Sequence, residues 1–444
     1  MNNNIDNLYR NQSAEDMINN DGTLVSGAPY WAPRELSDEY SKTEVKRQGV
    51  DQPFLILTLL LLMVGLIMVL SASFARGAVT NKPLSVFISQ IVFTVIGLSS
   101  MILISLFTAK TMSRWAYLLL VFSIFLLVIV LYVGSRVNGA KRWIGLKGFG
   151  GSLSFQPSEI AKLAIIMAGS KWICDVGPKK MKTFRHGILP FLGICVVIVF
   201  LLFREPHLSA SIVVVVLTGI MMFAGGVKLR WFVVPAFILL IGFGIVAYVA
   251  INDNKNENDG VVSLISKAQF NIGKVTYADN RLNAWLDPEA TPLGEGYQIR
   301  QSLYAVGSGG ILGQGLGQSR QKYLYLPEEH NDYIFAIVCE ELGFIGAILI
   351  LMLFALLVVR GFWLALHAKD RYSALITTGI SSLLAIQVFL NIAVVTNLIP
   401  ATGVSLPFFS YGGTALSIQL LQVGIILAVS REIPQVKRGR KIAG

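Results

Sequence analysis

Long apolar runs alternate with short polar connections along the chain, and this pattern predicts its secondary structure. Ten runs have roughly the 17 to 25 residues with which an α-helix crosses a bilayer. They cover about 53–73, 85–107, 114–133, 157–175, 187–203, 208–226, 231–251, 333–359, 373–398 and 406–430. We therefore expect an all-α polytopic membrane protein, a bundle of about ten transmembrane helices.

The polar segments divide the chain into three parts. Residues 1–52 are polar and of mixed charge, which is typical of a disordered tail. Residues 53–430 form the predicted membrane domain, and residues 431–444 form a basic tail. Within the membrane domain, the longest connection is residues 252–332, between the seventh and eighth spans. Loops of this length are usually functional, and we expect short helices here on the bundle surface.

Composition and charge support this interpretation. Hydrophobic residues make up 54% of the chain and charged residues only 14%, with a net charge of +11. Basic residues are concentrated in alternate short loops, which predicts cytoplasmic termini and an extracytoplasmic 252–332 loop. They are not interleaved with aromatic residues on a long polar face, which argues against nucleic-acid binding. The three cysteines have no paired spacing, which argues against a disulfide framework or a zinc site.

One basic loop breaks the charge pattern. The segment SRVNGAKRWIGLKGFGGSLSFQPSE, which contains Arg142, precedes the fourth span on the predicted outer side. Basic charge on that side favours an anionic ligand, although a short loop can also depart from the rule without a function.

Ionisable residues inside membrane spans are costly and therefore functional candidates. In the fourth span, Glu159 and Lys162 are three residues apart and share a helix face. They can form a structural ion pair, or Lys162 can bind phosphate with Glu159 orienting it. Glu340 and Glu341 of the eighth span point about 100° apart, so they cannot serve one site equally. Both a role in helix packing and a functional role are open for them.

Asp332 lies just before the eighth span, at the predicted outer boundary. A carboxylate there can simply cap the helix. It is also the best-placed acid for chemistry at the outer face.

Two further segments have several interpretations. The glycine-rich segment 307–317 lacks the Lys-Ser/Thr of a phosphate-binding loop and predicts a tight re-entrant turn. The segment 397–416, with Ser410, predicts a broken helix that lines a cavity or a simple packing kink.

Several motifs together resemble one family, the SEDS proteins of bacterial shape, elongation, division and sporulation, which include FtsW and RodA. They occur in family order and cover the membrane part of the chain. The motifs are NGAKRWI (138–144), QPSEIAKL (156–163), EPHLSAS (205–211), GYQIRQSLYAVGSGGILGQGLG (296–317), LPEEHNDYIFAIVCEELGFIG (326–346) and NLIPATGVSLPFFSYGGTAL (397–416).

The resemblance implies a peptidoglycan glycosyltransferase that polymerises lipid II and releases undecaprenyl diphosphate. It implies that Asp332 is the catalytic base, and it places the substrate-binding residues on the matching motifs. The implied substrate-binding residues are Arg142, Lys162, Glu159, His330, Gln298 and Ser410. A divalent cation, Mg²⁺ or Mn²⁺, is the implied cofactor, without assigned protein ligands. The implied partner is a class B penicillin-binding transpeptidase, together with other membrane proteins of the division or elongation machinery.

The sequence departs from the family pattern at the start of the sixth span. Glu205 and His207 stand where the family usually has Gln and Asp, so no role is carried onto His207. The 326–346 and 397–416 motifs and the polar N-terminal segment favour the FtsW division branch over a RodA-like elongation polymerase. A lipid-precursor flippase and a non-catalytic scaffold are alternatives, because buried charges and ten spans are also typical of transporters.

Overall fold

The computed structural model describes residues 49–79, 81, 83–137, 140–145, 154–205, 207–228, 230–231, 281, 284–289 and 294–433. These residues are mainly helical. The helices are α1 (Gln52–Val79), α2 (Ser85–Ser105), α3 (Ala109–Val133), α4 (Pro157–Met181), α5 (Leu189–Arg204), α6 (Leu208–Ala224), α7 (Glu295–Ser308), α8 (Ile334–Leu366), α9 (Arg371–Val395) and α10 (Gly413–Ser430). A π-helical turn, Phe184–Ile188, joins α4 to α5.

The chain is an integral membrane protein. Within the described residues, six helices are long and apolar enough to cross a bilayer, namely α1, α2, α3, α8, α9 and α10. The apolar helices α5 and α6 are shorter, and the more polar α4 is not among the six. Nine of the ten predicted spans overlap one of these nine helices. The seventh, 231–251, lies almost entirely outside the described residues, so the total number of spans stays a prediction.

The helix bundle has a mainly apolar core that also contains buried polar residues, and its outer surface is apolar. The helices α9 and α10 bury a larger share of their residues than the other four long helices, and α4 is buried along most of its length. Large apolar side chains of the outer helices instead face outward. Examples are Ile56 and Met63 of α1, Val95 and Leu103 of α2, Val121 and Phe125 of α3, and Phe344 and Val359 of α8. An outward apolar surface is what lipid contact requires.

A small antiparallel sheet interrupts the predicted all-α fold between α3 and α4. It consists of β1 (Ser135–Val137), β2 (Ala140–Gly145) and β3 (Ser154–Phe155), in the order β1-β2-β3. Ser135 pairs with Trp143, and Ile144 pairs with Phe155. The dipeptide Asn-Gly between β1 and β2 is a strong hairpin signal in the sequence. The basic loop is therefore partly a β-hairpin rather than only a connection.

The long α8 is broken near its start at Gly343, whose φ of 67° is left-handed. A side chain is excluded there, since a Cβ on Gly343 would lie 2.2 Å from the backbone nitrogen of Gly313. Residues before the break are buried, whereas Phe344 and Ile345 after it expose apolar side chains. The part from Phe344 to Leu366 alone is long enough to cross the hydrocarbon core. The first part of α8 thus belongs to the packed interior near Asp332.

The glycine-rich segment docks onto this break. The backbone N–H groups of Gln314 and Gly315 donate to the carbonyl oxygens of Glu340 and Glu341 at 2.9 and 3.0 Å. The amide of Phe344 donates to the carbonyl of Gly310 at 2.9 Å. These bonds agree with a tight turn over 307–317. Residues 252–280 of the predicted loop 252–332 lie outside the described residues. The later part of this loop contains α7, which packs against α8 and α9.

Candidate active site

Asp332 immediately precedes α8, and its carboxylate is not used to cap that helix. The residue at the N-cap position is Tyr333, and no side chain makes a capping hydrogen bond there. The helix-cap interpretation of Asp332 is therefore wrong. Its side chain is partly buried, and its carboxylate has no hydrogen-bond partner among the described residues. An acid placed in this way is available to a substrate.

The backbone of Asp332 is held by a buried asparagine of α9. Asn391 Nδ2 donates to the carbonyl oxygen of Asp332 at 2.7 Å and to that of Val404 at 2.8 Å. The side chain of Asn391 is 1% exposed. One amide group therefore joins the turn before α8 to the non-helical segment before α10. Sequence reasoning missed Asn391, although an asparagine inside an apolar span is itself a signal.

The segment before α10 fixes the residues on either side of this turn. Ser410 Oγ donates to the carbonyl oxygen of Asn331 at 2.8 Å and accepts from the amide of Leu406 at 2.7 Å. The amide of Tyr411 donates to the carbonyl oxygen of His330 at 2.7 Å. The predicted tenth span, 406–430, therefore begins with non-helical residues, and the helix itself begins only at Gly413. In this arrangement Ser410 positions the acid-bearing turn.

His330 and Gln298 also contact protein groups. The ring of His330 is buried 5.6 Å from the ring of Tyr411, and its Nδ1 lies 3.3 Å from Glu329 Oε1. Glu329 is itself paired with Arg76 at the end of α1, at 3.0 Å. Gln298 Nε2 donates to the carbonyl oxygen of Pro327 at 3.2 Å. Substrate contacts by these two side chains stay a prediction.

The electrostatic surroundings of Asp332 combine acids and cations. Burial raises its pKa to about 6, and the neighbouring Glu328 and Glu295 act in the same direction. Arg281 and Arg142 oppose that shift. The carboxylate is therefore mostly ionised at pH 7 and still basic enough to take up a proton.

The two arginines come from distant parts of the sequence. Arg142 lies on β2, in the basic loop for which the sequence predicted an anionic ligand. Arg281 belongs to the long loop before α7, where Nε pairs with Glu295 at 3.1 Å and Nη1 donates to the carbonyl oxygen of Ala401 at 2.9 Å. Nothing in the local sequence around Arg281 distinguishes it from other loop residues. Its position is a consequence of tertiary packing alone.

The predicted pair on α4 is present and lies toward the same region. Lys162 Nζ is 2.7 Å from Glu159 Oε1, and both side chains are buried. Burial lowers the pKa of His207, and Arg142, Lys162 and Arg281 act in the same direction. All three cations therefore act on one point of the site, the turn that enters α6. The pairing of Glu159 with Lys162 is confirmed, while their contact with substrate stays a prediction.

Gly403 lies close to both Asp332 and Ser209 at the start of α6. Gly403 has a left-handed φ of 70°, and a Cβ there would lie 3.1 Å from Asp332 Oδ2 and 3.9 Å from Ser209 Oγ. A larger residue would be strained and would crowd the acid. The glycine thus lets the hairpin between α5 and α6, with Glu205 and His207, approach the turn before α8.

Glu340 and Glu341 serve a separate, structural network. Glu340 accepts hydrogen bonds from Ser319 Oγ and from the amide of Arg320. Glu341 pairs with the buried Lys322 at 2.9 Å and accepts from Ser71 Oγ of α1 at 2.7 Å. The two adjacent acids share Ser319, whose amide donates to Glu341, and otherwise have different partners, which favours the packing role of the two that the sequence left open.

Metal binding by protein side chains alone is not supported in the part of the chain that the structure describes. No group of three or more His, Cys, Asp and Glu side chains there is arranged to hold an ion. Magnesium is commonly held by one or two carboxylates together with substrate phosphates. Asp332 and the neighbouring Glu328 fit that smaller requirement.

A family model described as "Cell cycle protein", covering FtsW, RodA and SpoVE, matches residues 52–435. Stage V sporulation protein E of Bacillus subtilis is 44% identical over 390 residues, covering 87% of this chain and 98% of that protein. A probable peptidoglycan glycosyltransferase FtsW of Trichlorobacter lovleyi is 37% identical over 383 residues, covering 86% of this chain and 93% of that protein.

Two solved structures share the fold. One is a chain of a solved structure described as "Structural coordination of polymerization and crosslinking by a peptidoglycan synthase complex". It matches with a TM-score of 0.66 at 27% identity, over 87% of this chain and 99% of that one. The rod shape determining protein RodA of Thermus thermophilus matches with a TM-score of 0.58 at 25% identity, over 87% and 98% of the two chains.

Proposed function

The chain belongs to the FtsW, RodA and SpoVE family of cell cycle proteins and is a peptidoglycan glycosyltransferase, and within that class we propose that it polymerises lipid II. The observation that carries the proposal is the carboxylate of Asp332. It is partly buried, makes no hydrogen bond among the described residues, and lies within the field of Arg142 and Arg281.

In the proposed reaction, Asp332 is the general base. A hydroxyl oxygen of the acceptor sugar forms a bond to the anomeric carbon of the donor, and the bond from that carbon to the diphosphate breaks. The hydroxyl proton passes to the Asp332 carboxylate as the new bond forms. A pKa of about 6 leaves this carboxylate ionised at pH 7 and suits it to that transfer.

The leaving group is a diphosphate, which needs positive charge rather than a protein acid. Arg142 and Lys162, on β2 and α4, supply fixed cations on the side of the site formed by α4 and α6. Cations placed where charge develops lower the barrier without reorganising during the reaction. Asp332 and Glu328 would hold a divalent cation, Mg²⁺ or Mn²⁺, and that cation would supply further positive charge for the leaving diphosphate.

The cellular setting completes the proposal. We assign the active site to the extracytoplasmic face of the bacterial plasma membrane, with both termini cytoplasmic, and the partner to a class B penicillin-binding transpeptidase. We assign the polymer to septal wall. A RodA-like role in elongation would instead predict that depletion rounds the cells without blocking septation, which microscopy of depleted cells distinguishes. A sporulation role would leave vegetative division intact.

The transporter alternative depended on an ionisable acid free inside the bundle. The two candidates, Glu340 and Glu341, are engaged by Ser319, Lys322 and Ser71. These contacts remove the support that Glu340 and Glu341 gave to proton-coupled transport.

The test is strand formation from lipid II by the purified protein with its transpeptidase partner and Mg²⁺, followed by gel electrophoresis of the glycan product. We expect Asp332→Asn to abolish polymerisation while expression and partner binding stay normal. The control is Asp175→Asn on α4, where an exposed carboxylate contacts Lys171 and Tyr117. Strands made by the Asp332→Asn protein would show that Asp332 is not the base.

A further inference from the structure

We propose that Glu205 is a second acid of the site, held uncharged, and that it donates a hydrogen bond to the diphosphate of lipid II. This inference rests on the proposed function, because it names how one group of the same substrate is held. It concerns a residue for which the sequence suggested no role.

Glu205 lies in the turn between α5 and α6, close to the reacting centre. Arg142 is near enough to both Glu205 and Asp332 to change the pKa of each. At the start of α6, directly after this turn, Ser209 Oγ would lie 3.9 Å from a Cβ placed on Gly403, and Asp332 Oδ2 would lie 3.1 Å from the same Cβ. The turn therefore lies on the side of the site where α6 begins, and Arg142 acts on both its acid and the base.

The burial of Glu205 decides its charge. The residue is 1% exposed, and neither carboxylate oxygen has a hydrogen-bond partner among the described residues. An ionised carboxylate without partners is costly to bury, so the protonated form is favoured. In agreement with this, burial raises the pKa of Glu205 to about 8, against the opposing effect of Arg142.

The charged neighbours do not reverse this preference. Arg142 of β2 is the cation that acts on Glu205. Lys162 of α4 and Arg281 act on His207 two residues later, and with burial they keep its pKa well below the usual value. His207 is therefore neutral at pH 7 and brings no counter-charge to Glu205. Its own Nδ1 is buried and without a partner among the described residues.

The kind of ligand is indicated by Arg142, because this cation acts on both Glu205 and Asp332. A diphosphate held by Arg142 would lie beside Glu205, where an ionised carboxylate would repel it. A protonated carboxyl instead donates a short, charge-assisted O–H···O bond to a phosphate oxygen. Substrate binding would then satisfy a buried polar group that the protein leaves without a partner, which explains why the site tolerates it.

The experiment measures the KM for lipid II at pH 7 and pH 9. If only the protonated form binds, a pKa of about 8 makes the parent KM rise about tenfold over this range. Glu205→Gln keeps a neutral donor that cannot ionise, so its KM should stay near the parent value at pH 7 and lack that rise. Glu205→Ala removes the donor and should raise KM at both pH values.

Ionisation of the lipid II phosphates affects every variant equally, so the parent and Glu205→Gln differ only through residue 205. Asp175→Asn, a carboxylate-to-amide change far from the site, should keep the full rise. Binding of undecaprenyl diphosphate by the detergent-solubilised protein is measured in parallel, because it requires no turnover. It should weaken about tenfold between pH 7 and pH 9 in the parent.

The outcomes separate the two proposals. An active parent protein whose alkaline rise in KM persists in Glu205→Gln would overturn this inference and leave the polymerase assignment intact. A parent protein that makes no strands counts against the polymerase. In that case the diphosphate measurement still decides, since binding that weakens equally in parent and Glu205→Gln excludes a role for Glu205.

Discussion

The side-chain amide of Asn391 donates to the backbone carbonyl of Asp332 at 2.7 Å. This bond connects the C-terminal part of α9 to the turn that carries the proposed base, and a second bond from the same nitrogen holds Val404. Asp332 is therefore positioned through its backbone, and its carboxylate stays available to substrate.

We expect Asn391→Ala to lower kcat far more than it changes KM. Loss of the amide lets the Asp332 turn shift, and a displacement of about 1 Å can cost about 100-fold in rate. Steady-state kinetics with lipid II measure the effect. The control is Thr396→Ala on the same helix, whose hydroxyl bonds only to carbonyl oxygens of its own helix. Equal losses in the two variants would contradict a positioning role for Asn391.

The rate of polymerisation should also fall as the pH is lowered below 7. Burial raises the pKa of Asp332 to about 6, and a general base works only when it is deprotonated. Activity should therefore be nearly full at pH 7, half-maximal near pH 6 and about tenfold lower at pH 5. A pH–rate profile for the parent and for Glu205→Gln checks this. Both should share the acidic limb, and a rate constant down to pH 5 would remove Asp332 from the role of base.

Lys162 should matter for activity, whereas a surface lysine at the other end of α4 should not. We expect Lys162→Ala to reduce polymerisation at least about tenfold, since it removes a cation from the diphosphate side of the site. Lys180→Ala, in the exposed last turn of α4, should remain within about twofold of the parent. Similar losses in both would contradict the placement of Lys162 in the site.

Removal of Lys162 also leaves Glu159 buried without its partner, which destabilises the fold. The double variant Glu159→Gln/Lys162→Met avoids the unpaired charge. Its melting temperature should return toward that of the parent while its activity stays low. Recovery of both properties would show that the pair is only structural.

The buried pair of Glu341 and Lys322 should dominate local stability. Glu341→Gln leaves the Lys322 ammonium, whose side chain is 4% exposed, without a counter-charge. Breaking a buried pair in this way costs about 3–5 kcal/mol. We expect a lower melting temperature and faster proteolysis between residues 309 and 322. The matched control is Glu289→Gln, whose pair with Arg300 is exposed on the acid side and worth about 1 kcal/mol or less.

The sequence was informative where the physics is local. Apolar run length located the helices, and the spacing of Glu159 and Lys162 predicted their pair, because both depend on neighbouring residues. The adjacent positions of Glu340 and Glu341 predicted that they cannot serve one site equally, yet the folded chain brings Ser319 into contact with both. The break in α8 was not predicted, since Gly343 lies inside a single predicted span, 333–359.

The site itself could be predicted only in part. Asp332 and Arg142 were found through motifs, but their proximity depends on how β2, α6 and the segment before α10 pack together. Arg281 and Gly403 have no distinguishing local pattern. Glu205 was recognised as a departure from the family motif, yet its burial without a partner is a property of the folded protein. Such groups become visible only when the surrounding elements are in place.

The break at Gly343 also sets a length scale for the substrate. The segment of α8 before the break has a length of about 14 Å at 1.5 Å per residue, and Asp332 lies at its far end. The apolar side chains exposed to lipid on α8 begin only after the break. For the lipid II that we propose as substrate, the diphosphate and sugar would therefore bridge the distance of about 14 Å between the lipid-exposed part of α8 and Asp332.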